Sequence, residues 1–267
     1  MTVAIIGAGV MGETLLSGLI RGGFEAAELV VGEKRPERAA ELREKYAVKV
    51  VDQLAEAATA DTVALVVKPQ DMGEVLGEIG PLVSAGQLVV SLAAGITTDY
   101  IERHLPDGVA VVRVMPNTPA LVDEGMAAIS PGTHCDEEHL VRAEQLLATT
   151  GRVVRVPEKQ QDAVTAISGS GPAYLFFVVE AMIEAGVHLG LPRSTATELV
   201  VQTVVGSAKL LRETGTHPTV LREQVTSPGG TTAAAIRELE DHKVRAAFIT
   251  AMEAARDRSS ALAATDD

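Results

Sequence analysis

Tryptophan is absent, and aromatic residues together make up 3% of the 267-residue chain. Recognition by stacked rings would have to rest on three Tyr and four Phe. A single cysteine, Cys135, excludes an intrachain disulfide and a cysteine metal cluster, and it suits a reducing compartment. Positive charge is scarce: 23 Lys and Arg stand against 36 Asp and Glu, for a formal charge of −13. Such a surface repels phosphate backbones, so nucleic acid is not an expected partner. A small anionic substrate is still admissible, because backbone amides and one or two Arg can make a site locally positive. No basic leader precedes the opening MTVAII. The longest apolar helical stretch, around Ala173 to Leu191, is interrupted by Glu180, Glu184 and His188. A membrane partner is therefore not expected, and a cytoplasmic location is. The six histidines and the carboxylates show no compact ligand spacing, so no metal site is expected.

What is present is enough apolar sequence for a substantial core, 46% of residues, with 22% charged. Up to about Val156, short β-branched runs alternate with amphipathic stretches. Strands are expected at Val3–Ile6, Leu29–Val31, Lys49–Val51, Thr62–Val67, Leu88–Ser91, Ala110–Val114, Met126–Ile129 and Arg152–Val156. Helical patterns fall at Glu13–Arg21, Pro36–Tyr46, Asp71–Ile79 and Glu137–Thr149. This alternation predicts a parallel sheet covered on both faces. After Pro157 strand-like runs almost vanish, and Gln160–Gly186, Arg193–Thr214 and Thr231–Asp257 carry helical periodicity. Residues 259–267 read as a frayed tail. The expected fold is α/β: an N-terminal doubly wound sheet of Rossmann type over 1–158, then an all-helical domain over 159–267. Val178, Val179, Val200, Val201, Val204 and Val205 cannot all face one thin helical core, which predicts a homo-oligomer.

Gly7-Ala8-Gly9-Val10-Met11-Gly12 follows the first strand directly and precedes a helical pattern. A GxGxxG string in that position is a dinucleotide signature. Gly7 permits the tight turn, Gly9 lets a pyrophosphate approach the backbone, and Gly12 lets helix and strand pack closely. The amides at the helix start, at Val10 and Met11, face the phosphates. After the second strand, Glu33 can accept from a ribose 2′-hydroxyl, whereas Lys34 and Arg35 can hold a 2′-phosphate if Glu33 turns away. The two cations tilt the expectation to NADPH, with NADH as the alternative. Val67, Lys68 and Pro69 end another strand beneath the dinucleotide, with Lys68 either touching the cofactor or capping the sheet edge, and Ala93 and Ala94 leave room for the nicotinamide and its ribose. Asn117, between Pro116 and Pro119, is expected to organise the nicotinamide pocket, and Arg113 either clamps a carboxylate or braces the loop. In the helical half, Ser227-Pro228-Gly229-Gly230-Thr231-Thr232 opens a helix with exposed amides and hydroxyls. That is an anion site without a formal cation. Tyr174 and His217 read as packing and capping residues.

The glycine string, VKPQ at 67–70, SLAAGI at 91–96, RVMPNTP at 113–119, SGSGPAY at 168–174 and VTSPGGTT at 225–232 together resemble the pyrroline-5-carboxylate reductase family. The resemblance runs from Val3 to about Arg256. It implies reduction of L-1-pyrroline-5-carboxylate to L-proline with NADPH or NADH, and a dimer of intertwined helical domains that can assemble into a decamer. It also implies an active site between nucleotide and helical domains. There Thr232 sits near the ring nitrogen, while Ser227 and the amides of Gly230 and Thr231 approach the carboxylate. Glu33-Lys34-Arg35 departs from relatives with a neutral residue and one cation there. Two alternatives stand beside this. A reductase of keto or hydroxy acids would need a Lys or His acid, with Lys209 the candidate, and a sensor would bind the dinucleotide without turnover.

Overall fold

The computed structural model describes residues 1–263. Its first part alternates β1 (Val3–Ile6), α1 (Val10–Arg21), β2 (Leu29–Gly32), α2 (Pro36–Tyr46), β3 (Lys49–Val51), α3 (Leu54–Ala57), β4 (Thr62–Leu65) and α4 (Met72–Ile79). It continues with β5 (Leu88–Ser91), α5 (Thr98–Glu102), β6 (Ala110–Met115), β7 (Gly125–Pro131), α6 (Glu137–Leu147) and β8 (Gly151–Arg155). The eight strands form one sheet in the order β3-β2-β1-β4-β5-β6-β7-β8. β1 lies centrally, with Val3 opposite Leu29 on one side and Thr62 on the other.

The expectation of a wholly parallel sheet needs one correction, because β7 runs antiparallel to β6. The two are joined by residues 116–124, which hold only a single 3₁₀ turn at Thr118–Val122. A parallel return needs a crossover of a dozen or more residues, so this link can only fold back. The next pair, β7 and β8, is parallel again across α6.

Strand residues divide by parity between the two faces. Ala4, Ile6, Val63 and Leu65 pack with Leu76 and Ile79 of α4. Val3 and Ile5 pack with Leu15, Leu16 and Leu19 of α1 and Leu42 of α2. All these side chains are buried to 2% exposure or less, each contributing about 1.5–3 kcal/mol for a large aliphatic group. A third cluster joins Leu88, Val90, Val112, Val114 and Ile129 to Leu147.

The remaining helices are α7 (Gln161–Val164), α8 (Gly171–His188), α9 (Arg193–Thr214), α10 (Pro218–Gln224), α11 (Thr231–Asp241) and α12 (Val244–Ala263). The helical periodicity over Gln160–Gly186 is carried by α7 and α8 on either side of a π-turn at Thr165–Gly169. The first long helix, α8, opens within SGSGPAY with Pro172 in its first turn. Pro172 explains the π-turn: a proline cannot donate to the carbonyl four residues back and crowds it, so the preceding turn widens. The helix expected over Thr231–Asp257 breaks where Lys243 adopts a left-handed φ of 58°. The unforeseen α10 is capped by His217, whose Nδ1 accepts from the Thr219 amide at 3.2 Å. In the expected tail, residues 259–263 are helical, and Ser259 donates to Asp162 at 2.7 Å. Residues 264–267 of that tail lie outside the described residues.

By internal contacts the chain forms two compact units. One is Met1–Ser170 with the described residues from Ala255 onward, and the other is Gly171–Ala254. The first holds the sheet and its three core clusters. In the second, among the described residues, only Ala196 and Val200 are buried. Within Glu158–His188 an 18-residue stretch is apolar enough to cross a membrane by length and composition, with a mean hydropathy of 1.4.

Candidate functional site

Within the first unit, the three glycines of the β1–α1 turn do three different things. Gly7 has φ +97°, and a Cβ there would lie 2.5 Å from the Val66 carbonyl oxygen. A Cβ on Gly12 would lie 2.0 Å from the Gly7 carbonyl oxygen, so glycine is what allows helix and turn to touch. Gly9 differs: a Cβ there meets nothing within 4 Å. Gly9 is also the N-cap of α1 and supplies no side-chain cap, while Val10 is 70% exposed. The first-turn amides of a helix have no partner within it. An open backbone face beside uncapped amides fits a pyrophosphate, which a side chain at Gly9 would displace.

The turn is held by Arg38, which donates to the Ala8 carbonyl at 3.1 Å and pairs with Glu13 in the first turn of α1. The sequence pattern gave no notice of Arg38, because it lies past β2 on a helix face whose partner is set only by the α1–α2 packing.

At the end of β2, Glu33 is turned inward, its side chain 6% exposed. It accepts from the Arg35 amide, Nε and Nη2, each at 2.9 Å. Burial pushes its carboxyl up, but the Arg35 guanidinium and amide and the Ala8 amide outweigh this and hold it below the usual range. Lys34 pairs with Glu74 at 3.0 Å and Glu78 at 3.2 Å. The tilt to NADPH required Glu33 to turn away from two available cations. Here Glu33 stays, and both cations are engaged by carboxylates.

Other expected cofactor positions gather at the same edge of the sheet. Lys68 is exposed and begins the single turn Pro69–Asp71 after β4, with Val67 half-buried beside Gly7. Ala93 is buried in the core, whereas Ala94 is exposed. Met11, Leu92, Pro116, Asn117 and Met126 line one cavity. Since β7 runs opposite to β6, its first residues also reach this carboxyl edge.

Asn117 spends both ends of its amide internally. Its Oδ1 accepts from the Met126 amide at 2.8 Å, and its Nδ2 donates to the Ser168 carbonyl at 3.1 Å. Ser168 stands four residues before Pro172, so its carbonyl is the one that proline leaves without a helical donor. Asn117 thus braces the cavity wall. Arg113, its side chain 9% exposed, donates to Glu158 at 3.1 Å. Glu158 also accepts from the Thr98 amide at 2.8 Å and its hydroxyl at 2.6 Å. Of the two roles open to Arg113, this geometry is the brace. Glu158 and the buried Gln161, which donates to Ser130 at 2.8 Å, went unnoticed in the sequence. Their only signal was position after Pro157.

In the second unit, α11 starts at Thr231 with Gly230 as its N-cap, again without a side-chain cap. Gly229 has φ +68°, a left-handed conformation that glycine supplies cheaply. The Gly230 amide donates to the Ser227 carbonyl at 3.0 Å. A Cβ on Gly230 would lie 2.4 Å from Ser227 Oγ, so that hydroxyl sits over the helix start. Thr232 is half-buried one residue further on. Lys209, the acid that a keto-acid reductase would need, is 71% exposed and 3.6 Å from Glu213 on the same helix. Among the described residues no group of three or more His, Cys, Asp or Glu could hold a metal ion.

Comparison with known proteins bears on the whole chain. Residues 158–262 match the family model described as pyrroline-5-carboxylate reductase dimerisation, and residues 2–95 match that described as NADP oxidoreductase coenzyme F420-dependent. The pyrroline-5-carboxylate reductase of Corynebacterium melassecola is 48% identical over 265 residues, covering 98% of each chain. A solved pyrroline-5-carboxylate reductase from Coxiella burnetii superposes with a TM-score of 0.94 at 38% identity, over 98% of each chain. The Plasmodium falciparum pyrroline carboxylate reductase, solved with NADP bound, gives 0.87 at 29% identity, again over 98% of each. By its sequence from end to end and by its fold, the chain belongs to the pyrroline-5-carboxylate reductase family.

Proposed function

We propose that this protein reduces L-1-pyrroline-5-carboxylate to L-proline at the expense of NADPH or NADH. One observation carries the reading. The chain builds two helices with glycine at the N-cap, one opening within GAGVMG at Val10 and one after TSPGG at Thr231, in a sequence 48% identical to a reductase of that name. The first receives the dinucleotide phosphates and the second the substrate carboxylate.

On this reading Gly7, Gly9, Val10, Met11 and Gly12 cradle the pyrophosphate, and Glu33, Lys34 and Arg35 surround the adenosine ribose. Val67, Lys68 and Pro69 lie beneath the dinucleotide, while Ala93, Ala94 and Asn117 shape the nicotinamide end. When bound, the reduced nicotinamide supplies the hydride that saturates a carbon–nitrogen double bond. Ser227 and the amides of Gly230 and Thr231 orient the ring by its carboxylate. Thr232 hydrogen-bonds the ring nitrogen and fixes which face is presented. A neutral hydroxyl is too weak an acid to be the sole proton source, so Thr232 positions a nitrogen protonated from elsewhere. Most of the acceleration comes from orientation and from dipoles already in place.

The same reading assigns 1–158 to nucleotide binding and 159–267 to dimerisation and substrate binding. Leu175, Phe176, Phe177 and Leu189 of the helical part are 47–81% exposed. With so little core of its own, that part is stabilised by a second copy, as a dimer that can assemble further into a decamer. That copy also accounts for the apolar run at Glu158–His188 without a membrane, in keeping with a cytoplasmic protein.

Steady-state turnover tests the reading. Oxidation of NADH or NADPH is expected with the five-membered imino acid and not with keto acids. Stoichiometric dinucleotide binding without turnover would instead identify a sensor.

A further inference from the structure

We propose that Glu33 is the residue that sets which dinucleotide this protein takes, favouring a free ribose 2′-hydroxyl over a 2′-phosphate. The inference rests on the reductase reading and adds the cofactor's chemical class to it.

Glu33 is anchored on every side. Its amide donates to the Val51 carbonyl at 2.9 Å, which ties it to β3. Its carboxylate lies against the glycine turn, where the Ala8 amide reaches it. The side chain is 6% exposed, whereas that of Arg35 is 65% exposed. The two partners are therefore unequal: the cation can swing into solvent, and the carboxylate cannot. When Arg35 moves aside, the group left facing the ribose position is an acceptor. A 2′,3′-diol donates to that acceptor, while a phosphate is repelled by it.

Neither nearby cation readily offsets the repulsion. Lys34 is held by Glu74 and Glu78, and Arg38 by Glu13 and Glu41. To use Lys34 a phosphate must draw it from Glu74 and Glu78, and Arg35, even once it has swung free of Glu33, leaves the phosphate facing that buried carboxylate. The charged groups facing the end of β2 are thus four cations, Lys34, Arg35, Arg38 and Lys45, set among five carboxylates, Glu13, Glu33, Glu41, Glu74 and Glu78.

Equilibrium binding to the purified full-length protein tests this, with nicotinamide fluorescence giving a Kd for NADH and for NADPH. The wild-type protein is expected to bind NADH more tightly. Glu33→Gln, which keeps the shape and removes the charge, is expected to move the NADPH-to-NADH affinity ratio toward NADPH by roughly tenfold or more. Tighter NADPH binding by the wild type overturns the proposal whether or not the variant folds. An unmoved ratio in a folded Glu33→Gln protein also overturns it, with the reductase reading intact. Failure of the wild type to bind either dinucleotide sinks both.

Discussion

Glu13 stands in the first turn of α1, where the helix dipole favours a negative charge. Its carboxyl is held down to about 2, foremost by Lys45, then by Arg38, with Tyr46 also donating, against the opposing pull of burial. The sign follows from linkage. A carboxyl lowered on folding contributes stability above its ordinary value of 4.5, and that contribution drains away as pH falls toward about 2. Glu13→Gln is thus expected to lower Tm at neutral pH, with the gap from wild type narrowing through this window; a gap independent of pH refutes the assignment. Gly9 and Gly12 make a paired test. A Cβ at Gly9 meets nothing within 4 Å, so in Gly9→Val thermal stability should change by only about 1 kcal/mol while dinucleotide binding collapses. Gly12→Ala drives a methyl into the Gly7 carbonyl and should cost about 1–3 kcal/mol of stability. In the second unit, Thr232→Ala should reduce kcat by roughly a hundredfold at saturating substrate, with dinucleotide Kd unchanged. Wild-type turnover in that variant removes Thr232 from the mechanism.

Among the elements, the π-turn at Thr165–Gly169 and the β6–β7 link are coupled through Asn117. Pro172 withdraws a donor from Ser168, Asn117 replaces it, and the other end of the same amide pins the start of β7. Asn117→Ala leaves a carbonyl and an amide without these partners, at about 1–3 kcal/mol for each that water does not reach. A lower Tm together with weaker nicotinamide binding is the expected outcome. If Tm falls and binding does not, the brace supports the fold without shaping the pocket. RVMPNTP and SGSGPAY were both conspicuous in the sequence, but nothing in their spacing joined them. That connection depends on where a proline leaves a carbonyl bare.

For the whole molecule, the helical unit poses the largest imbalance: long apolar helices and almost no buried residue of their own. Sedimentation analysis should find an oligomer that does not dissociate without unfolding. Phe177, 73% exposed, gives a direct test. In a monomer Phe177→Glu would cost almost nothing, whereas across an interface between copies it should break assembly and lower Tm together. A variant as stable and as large as wild type rules out that face as the contact.

Much of this was legible in the residues themselves. The strand positions, the glycine turn and the span of α9 follow from periodicities and from backbone freedom, which are local properties. The antiparallel turn of β7 was legible in principle, since residues 116–124 are too few for a crossover, but alternation of types masked it. Sequence alone could name Glu33, Lys34 and Arg35 as candidate ribose readers, yet it could not say which faced inward. That was decided by tertiary packing, because the direction of a side chain at a strand end depends on the neighbouring strand and turn that close over it. Likewise, only the folded arrangement turned Arg113 and Asn117 from free polar groups into braces, since hydrogen bonds between distant segments exist only once the chain has brought them together.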